Sequence, residues 1–282
     1  MRDTATINAL GAVVTNPFAG LLPGTSTNGS TISVSNLLRP FPEFSGVTIN
    51  DMNNGGSYYH QVAVRLSRRI SQGLLLSANA SHSRLMEAVT YLNNGDLTLE
   101  KRASTYDRPN NFAISGLYQL PFGRGKHFLS GANKVANVVL GDWAASAIYT
   151  FHSGAPVAWN NSAGYIYYGG DLQYDARNVN RAFDKTQFNT VSSQQLSQAF
   201  RTFPSQFNNL RVDATNNLNI AVTKDFSLWE KARLQFRADS FNVCNHPLFD
   251  TPNVSPTSGA FGTITNQTNT PRVIQAALRL TF

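Results

Sequence analysis

The sequence predicts an all-β fold: an antiparallel, up-and-down transmembrane β-barrel segment of about seven or eight strands with long extracellular loops. Three observations support this prediction. Apolar and polar residues alternate along seven segments, which is the period-2 pattern of a strand between two unlike solvents. The connections between these segments alternate between short and long. Only 14% of the 282 residues are charged, against about 25% in typical soluble domains.

The chain divides into two parts on this pattern. Residues 1–56 contain four prolines among Gly, Ser, Thr and Asn, and we interpret them as a loop-rich extracellular segment. Residues 57–282 contain the predicted strands of the barrel segment, which the family resemblance described below assigns to the C-terminal part of an outer-membrane β-barrel. The predicted strands lie near 57–68, 73–84, 111–120, 143–152, 217–224, 233–243 and 272–282.

The last predicted strand shows the alternation most clearly. Its two faces are Ile274, Ala276, Leu278, Leu280 and Phe282 on one side, and Val273, Gln275, Ala277, Arg279 and Thr281 on the other. One face is apolar and the other is mostly polar. Its length matches the roughly 9–11 residues with which a tilted strand crosses a bilayer. In the strand before it, the alternation shifts phase at 240–243, which suggests a β-bulge.

The connection lengths distinguish a barrel from a sandwich. Long loops are predicted at 85–110, 157–215 and 247–271, after every second strand, and the intervening connections are short or intermediate. An outer-membrane barrel has short periplasmic turns and longer outer loops, whereas a Greek-key sandwich has no reason to alternate. Aromatic residues also collect near predicted strand ends, as at Trp143, Phe226 and Trp229, where a membrane interface favours them. The rim of a soluble sandwich core is the alternative explanation for these aromatics.

Motifs that would indicate enzyme chemistry are weak or missing in the sequence. Cys244 is the single cysteine and the five histidines are isolated from one another, so a metal site has little support. The run at 123–125, Gly-Arg-Gly, lacks the third glycine of a phosphate-binding loop and is better explained as a turn. We therefore expect no catalysis and no cofactor.

Charge and hydropathy argue against a nucleic-acid-binding protein and against a helical membrane protein. The net charge is +7, but the basic residues are scattered, so we expect no nucleic-acid partner. No stretch approaches the roughly 18 apolar residues of a membrane helix. The first residues lack the pattern of a secretion signal, which leaves either an internal protein or a piece of a longer exported chain.

Several motifs together carry a family resemblance. They include the runs at 106–112 (Tyr-Asp-Arg-Pro-Asn-Asn-Phe), 120–126 (Leu-Pro-Phe-Gly-Arg-Gly-Lys) and 38–44 (Leu-Arg-Pro-Phe-Pro-Glu-Phe). Shorter matches follow at 141–143, 153–156, 233–239 and 242–247, with the terminal Phe282. In their order and spacing these motifs resemble the C-terminal barrel region of Oar-like TonB-dependent receptors, which often begin with a carboxypeptidase-regulatory-like domain.

The resemblance implies a barrel of about 22 strands with a plug in its lumen. Because seven strands and no plug are predicted here, we expect the chain to be the C-terminal third or so of a receptor. It would take part in ligand binding and energy-coupled uptake only with the missing N-terminal plug and barrel strands. TonB would act only through that missing part. The other expected partners are the outer-membrane lipid bilayer and the barrel-assembly machinery.

The implied site residues fall into two groups. A plug or water in the lumen would face the polar side chains Arg65, Gln235, Arg237, Asp239, Gln275 and Arg279. Leu280 and Phe282 fit the last two positions of the C-terminal assembly signal of outer-membrane barrels, although Ala276 and Ala277 stand where that signal has a polar residue and a glycine.

Two alternatives remain open from the sequence. One is a small stand-alone outer-membrane barrel or surface adhesin that binds through its loops without transport. The other is a secreted, soluble β-sandwich binding protein such as a lectin.

Overall fold

The computed structural model describes residues 3–50, 52–70, 73–159, 163–197, 199–229 and 232–282. The N-terminal segment contains α1 (Thr4–Gly11), β1 (Val13–Thr15), β2 (Thr31–Ser33) and α2 (Val34–Leu37). β1 pairs with β2 in antiparallel register. The buried Asn16 amide holds the intervening turn by donating to the carbonyls of Thr27 and Gly29, at 2.7 and 2.6 Å. The segment predicted as loop-rich thus has short elements stabilised by side-chain hydrogen bonds that periodicity does not reveal.

The rest of the chain is built mainly from strands. In chain order these are β3 (Gly56–Ile70), β4 (Leu74–Ala88), β5 (Arg102–Ala103), β6 (Asn110–Gln119), β7 (Trp143–His152), β8 (Pro156–Ala158), β9 (Gln206–Arg211), β10 (Thr215–Trp229), β11 (Ala232–Phe241) and β12 (Val273–Thr281). Helix α3 (Lys134–Leu140) lies between β6 and β7. Two 3₁₀ turns cover Lys185–Gln187 and Ser192–Gln194.

The long strands form one antiparallel sheet in the order β3-β4-β6-β7-β10-β11-β12, and the short β5 pairs with β4. Each long strand is therefore bonded to the next long strand in the chain, which confirms the predicted up-and-down fold. Each also overlaps one of the seven predicted strand positions. Within the described residues β3 and β12 have one neighbour each, so the sheet is open. The short strands β8 and β9 pair separately.

Register sorts the side chains into two faces, because residues opposite one another in an antiparallel pair point the same way. Phe236 is opposite Leu278, and Val64 is opposite Ala80. We call the side that contains these residues the apolar face. The other side, where Gln235 is opposite Arg279, is the polar face.

The apolar face is uncovered. Val62 is 71% exposed and Leu278 is 69% exposed, although both are large aliphatic residues. A β-sandwich would bury such a face against a second sheet. The single meander with this exposed face contradicts the soluble-sandwich alternative.

The irregularity predicted at 240–243 is present at the end of β11. The strand ends at Phe241, Asn242 has a φ of 48°, and the Val243 amide donates to the Leu218 carbonyl, so Asn242 and Val243 together stand opposite Leu218 as in a bulge. Asparagine adopts this left-handed conformation more easily than most residues, and its amide donates to the carbonyls of His246 and Thr270. The phase shift therefore marks the end of the strand. A further register irregularity in the β10–β11 pair lies at the opposite end, between Ser227 and Trp229.

The ends of the sheet differ in the length of their connections. One end carries the long connections 89–109, 153–214 and 242–272. The other carries residues 120–142 and two shorter connections, in which 71–72 and 230–231 lie outside the described residues. None of the described helices is long and apolar enough to cross a membrane.

Candidate functional site: the loop cap and the polar face

The three long connections fold together into what we call the loop cap, residues 89–109, 153–214 and 242–272. The hydrophobic core cluster of the described residues lies in the last two of these segments. Trp159 is fully buried at its centre and stacks on Phe188, with ring centroids 5.6 Å apart and planes 6° apart. Phe183 packs against the other rings, 5.1 Å from both Trp159 and Phe261. A region predicted as weakly patterned loop thus has the dry core of a small domain.

Aromatic packing of this kind leaves no periodic signature. The aromatic residues of the cap are irregularly spaced along the chain, and the second cap segment contains only short regular elements among its described residues, namely β8, β9 and the two 3₁₀ turns. Offset and edge-to-face ring pairs contribute about 0.5–1.5 kcal/mol each beyond burial. The available sequence signal for this aromatic core was composition, since the segment is rich in Tyr and Phe. Composition does not show which rings contact one another.

The first cap segment is joined to the second by hydrogen bonds around Ser205. The Ser205 amide donates to Oε1 of Glu100 at 2.7 Å, and Arg102 Nη1 donates to the Ser205 hydroxyl at 2.6 Å. Close by, the backbone amide of Ala103 donates to Asn208 Oδ1 at 3.0 Å. These bonds pair polar groups of both segments and hold two distant parts of the sequence together.

Arg201 also connects these two segments. Its backbone amide donates to Asn93 Oδ1 at 2.6 Å. Its buried guanidinium donates to the carbonyls of Trp159, Phe203 and Pro204. The side chain also covers the Phe203 ring, 4.3 Å from its centroid. Burial lowers the pKa of the Arg201 guanidinium, yet it serves as a charged donor that satisfies carbonyls beside the aromatic core.

Asp107 joins the cap to the sheet. Its side chain is fully buried and accepts the backbone amide of Leu85 in β4 at 2.7 Å. The same carboxylate forms ion pairs with Arg211 of β9 at 2.5 Å and with Arg84 of β4 at 3.3 Å. Arg211 also donates to the Gly154 carbonyl at 3.1 Å. One carboxylate therefore links two cap segments and a strand of the sheet.

The sequence analysis did not identify Asp107 as a functional residue. A signal was present, because Asp107 belongs to the Tyr-Asp-Arg-Pro-Asn-Asn-Phe run that carries the family resemblance. Its partners Arg84 and Arg211 lie far from it in the chain, so sequence spacing could not pair them.

The third cap segment is tied to the second through Asp213. Its carboxylate accepts from Arg177 Nη1 at 2.9 Å and from the Phe249 amide at 3.2 Å. Nearby, burial raises the pKa of the Tyr174 hydroxyl strongly, and the charges of Asp213 and Asp175 raise it further. The Tyr174 hydroxyl has no hydrogen-bond partner among the described residues. This phenol is therefore held in its neutral form inside the cap.

The polar face brings some of the predicted lumen residues together. Arg237 donates to Asp239 through three contacts of 2.8–3.0 Å, and Gln275 Nε2 lies 3.5 Å from the same carboxylate. Gln235 is opposite Arg279 in register and donates to Asp225 at 2.9 Å. Arg65 lies on β3 at the far edge of the sheet and does not join this group. All six share one face, and their contact with a plug stays a prediction.

Arg65 borders a cavity of about 510 Å³ on the polar face. Gln61, Asn79, Asn111 and His152 also line it, and its lining contains no carboxylate. Ala63, Ala113 and Phe112 line it as well, so most of its exposed surface is apolar and the amide and cationic donors lie within an apolar surround. Among the described residues, no group of three or more His, Cys, Asp and Glu side chains is placed to hold a metal ion.

Lys224 occupies an unexpected position. Register places it on the apolar face, opposite Trp143 and Phe236. Its ammonium lies 5.2 Å from the Trp143 ring centroid and 4.9 Å from that of Phe226, and it donates to the Gly141 carbonyl. The lysine thus extends along the apolar surface toward the connection at 120–142. Alternation alone predicted an apolar strand here and did not identify this arrangement.

Comparison with known families decides what surrounds this sheet. Residues 2–275 match the family model described as "Outer membrane beta barrel domain". The chain belongs to this outer-membrane β-barrel family. Comparisons with curated proteins and with solved structures gave no significant match.

Membership of the outer-membrane β-barrel family explains the uncovered apolar face. The protein is located in the outer membrane, and the lipid bilayer covers apolar side chains such as Val62 and Leu278. Soluble monomeric proteins rarely expose a continuous apolar surface of this size to water. In a barrel of this family the longer loops face the exterior, which places the loop cap outside the cell. The short-connection end, with residues 120–142, then lies at the periplasmic side.

Proposed function

We propose that the chain is the C-terminal barrel part of an Oar-like TonB-dependent receptor. It would take part in ligand binding and energy-coupled uptake, without catalysis, as part of a complete receptor with a plug and further strands. The observation that supports this most is the open sheet, in which β3 and β12 each lack a second neighbour among the described residues. Each unpaired backbone group in lipid costs several kcal/mol, so both edges require a partner, and in this proposal further strands of the same receptor supply it.

The loop cap supports a role in ligand recognition. Its core and ion pairs hold the outer surface in a defined shape, and ordered surfaces lose less entropy on binding. Several large side chains nevertheless point away from that core. Exposed apolar and aromatic residues on the cap include Leu97, Tyr106, Tyr168 and Phe200. Aromatic side chains of this kind are frequent at binding surfaces.

In this proposal the polar face contacts the plug. Arg65, Arg237 and Asp239 offer charged groups to it, and TonB acts on the barrel only through the plug. Leu280 and Phe282 address the chain to the barrel-assembly machinery.

The competing proposal is a small stand-alone barrel or adhesin. The cap supports it equally, because a folded outer surface suits adhesion as well as uptake. The two proposals differ at the sheet edges. A stand-alone barrel must pair β3 with β12 to satisfy their backbones, whereas a larger barrel places other strands between them.

Disulfide cross-linking separates the two proposals. The complete polypeptide would carry Leu278→Cys with a second cysteine at Val62, Val64 or Leu66 in turn, in a Cys244→Ser background. We expect no cross-link after oxidation in outer membranes. The positive control is Phe236→Cys with Leu278→Cys, which are direct neighbours in register. Efficient cross-linking between β3 and β12 would refute the larger barrel.

Coupling to TonB needs its own test. The complete polypeptide in detergent should be retained on the immobilised periplasmic domain of TonB, and residues 1–282 alone should not. If the complete polypeptide is not retained and β3 does not cross-link to β12, the result would favour a large barrel whose transport is not coupled to TonB.

A further inference from the structure

Helix α3 carries apolar side chains on its outside. Val135, Val138 and Val139 are each more than half exposed. Their spacing of i, i+3 and i+4 puts them on one stripe of the helix. A helix on a water-facing surface turns such a stripe toward the protein, so the orientation here is inverted.

The side of the helix opposite the valines contacts the preceding part of the same connection. The side chain of Asn137 accepts the backbone amide of Arg124 at 2.7 Å. The helix itself is capped at its two ends, where the Asn133 side chain accepts from the Ala136 amide and the Asn137 carbonyl accepts from the Gly141 amide, both at 2.8 Å. The contact through Asn137 leaves the valine stripe on the outward side.

The C-terminal end of α3 lies beside the lipid-covered face of the sheet. Trp143 belongs to that face, and its Nε1 donates to the Val139 carbonyl at 2.9 Å. Lys224, on the same face, donates to the Gly141 carbonyl. The valine stripe and the apolar face are thus connected through Trp143, a residue type that prefers the membrane interface.

The charges around α3 fit a phospholipid surface. The connection 120–142 contains Arg124, Lys126 and Lys134, against a single carboxylate, Asp142. Exposed phenylalanines, Phe122 and Phe128, lie in the same connection. Apolar side chains flanked by basic groups are typical of helices that lie in the headgroup region of a bilayer.

From this geometry we infer that α3 is a membrane-interface anchor. Its valine stripe enters the boundary between headgroups and acyl chains of the periplasmic leaflet, and the neighbouring basic residues contact anionic phospholipid headgroups. The anchor holds the β6–β7 connection against the membrane. This inference rests on the outer-membrane location and is independent of TonB coupling.

Fluorescence quenching in isolated outer membranes tests the anchor. In a Cys244→Ser background, the complete polypeptide would carry Val138→Cys labelled with an environment-sensitive dye. Leu278→Cys on the apolar face is the lipid control, and Thr257→Cys in the loop cap is the water control. The quenchers are aqueous iodide and stearate with a nitroxide near its headgroup or near its chain end. Heat-dependent gel migration checks that each variant is folded.

We expect the Val138 label to be protected from iodide relative to Thr257 by at least several-fold. The headgroup-proximal nitroxide should quench it more than the chain-end nitroxide, whereas the Leu278 label should be quenched by the lipid probes and shielded from iodide. Quenching by iodide to the level of Thr257 would overturn the anchor, because the stripe would then face water. Protection from all three quenchers would also overturn it, since a protein partner would then cover the helix. Val135→Cys provides a second position with the same expected pattern.

Discussion

Replacing Asp107 with Asn tests whether one buried carboxylate holds the loop cap to the sheet. The substitution keeps the size of the side chain and an oxygen for the Leu85 amide, but it removes the charge opposite Arg211 and Arg84. Arg211 has a side chain only 17% exposed, so it is left as a largely buried cation. Arg84 is 39% exposed, and solvent screens its pair with Asp107.

The magnitude follows from these two exposures. Breaking a buried ion pair by removing one partner costs about 3–5 kcal/mol. Arg211 retains carbonyl acceptors at Gly154 and Asp107, which favours the lower end of that range. The exposed Arg84 pair adds about 0.5 kcal/mol or less. We therefore expect the cap to be destabilised by about 3 kcal/mol, which is roughly a 100-fold increase in local opening.

Amide hydrogen exchange measures this opening. Peptides from 100–108 and 206–214 should exchange roughly 100-fold faster in Asp107→Asn, and peptides from β6 and β7 should be unchanged. Arg84→Gln is the matched control and should alter exchange by only a few-fold. Equal rates in both cap segments of Asp107→Asn and the unaltered protein would refute the central role of this carboxylate. Uniform acceleration across the sheet would refute its restriction to the cap.

Three further predictions concern the cap and the last strand. Trp159→Ala should destabilise the cap by about 3–5 kcal/mol, because the cap loses its central ring. Trp159→Phe should cost under about 1.5 kcal/mol, since the indole nitrogen has no partner among the described residues. Limited proteolysis of the cap ranks the two variants by stability. Because the pKa of Tyr174 is raised in the folded cap, its stabilising contribution is complete below about pH 10, the usual tyrosine pKa, and is lost as pH rises through the raised value. Proteolytic clipping of the cap should therefore increase in alkaline buffer, and less so in Tyr174→Phe; equal pH profiles would contradict this. Phe282→Ser should lower the amount of complete polypeptide in the outer membrane, measured by heat-dependent gel migration, whereas unchanged surface levels would exclude an assembly role for Phe282.

Most of the sheet could be predicted from sequence because strands between unlike solvents follow a local rule. In β12, Ile274 and Leu278 alternate with Gln275 and Arg279, and the same two-residue period appears in β3 and β10. The order of the strands followed from connection lengths, since short connections require antiparallel neighbours. The phase shift at 240–243 indicated an irregularity there, but its form, a positive φ at Asn242, depends on hydrogen bonds to distant residues.

The candidate site was predictable only in part. Arg237 and Asp239 lie two residues apart on one strand, so alternation alone places them on the same face. Asp107 and Arg211 come from segments whose separation in the chain no periodic pattern spans. Alternation did not single out Lys224, and only its contacts with Trp143 and the Gly141 carbonyl show how a lysine fits the apolar face.

The sequence by itself determined where the seven long strands lie, which face of each is apolar and which end carries the long loops. These properties depend on neighbours within a few residues and on the solvent at each face. Only the tertiary structure decided that the long loops form one cap around Trp159, that Asp107 fastens the cap to β4, and that the valines of α3 point outward. Each of these features depends on contacts between distant segments, whose free energy comes from packing and paired charge rather than from any local repeat.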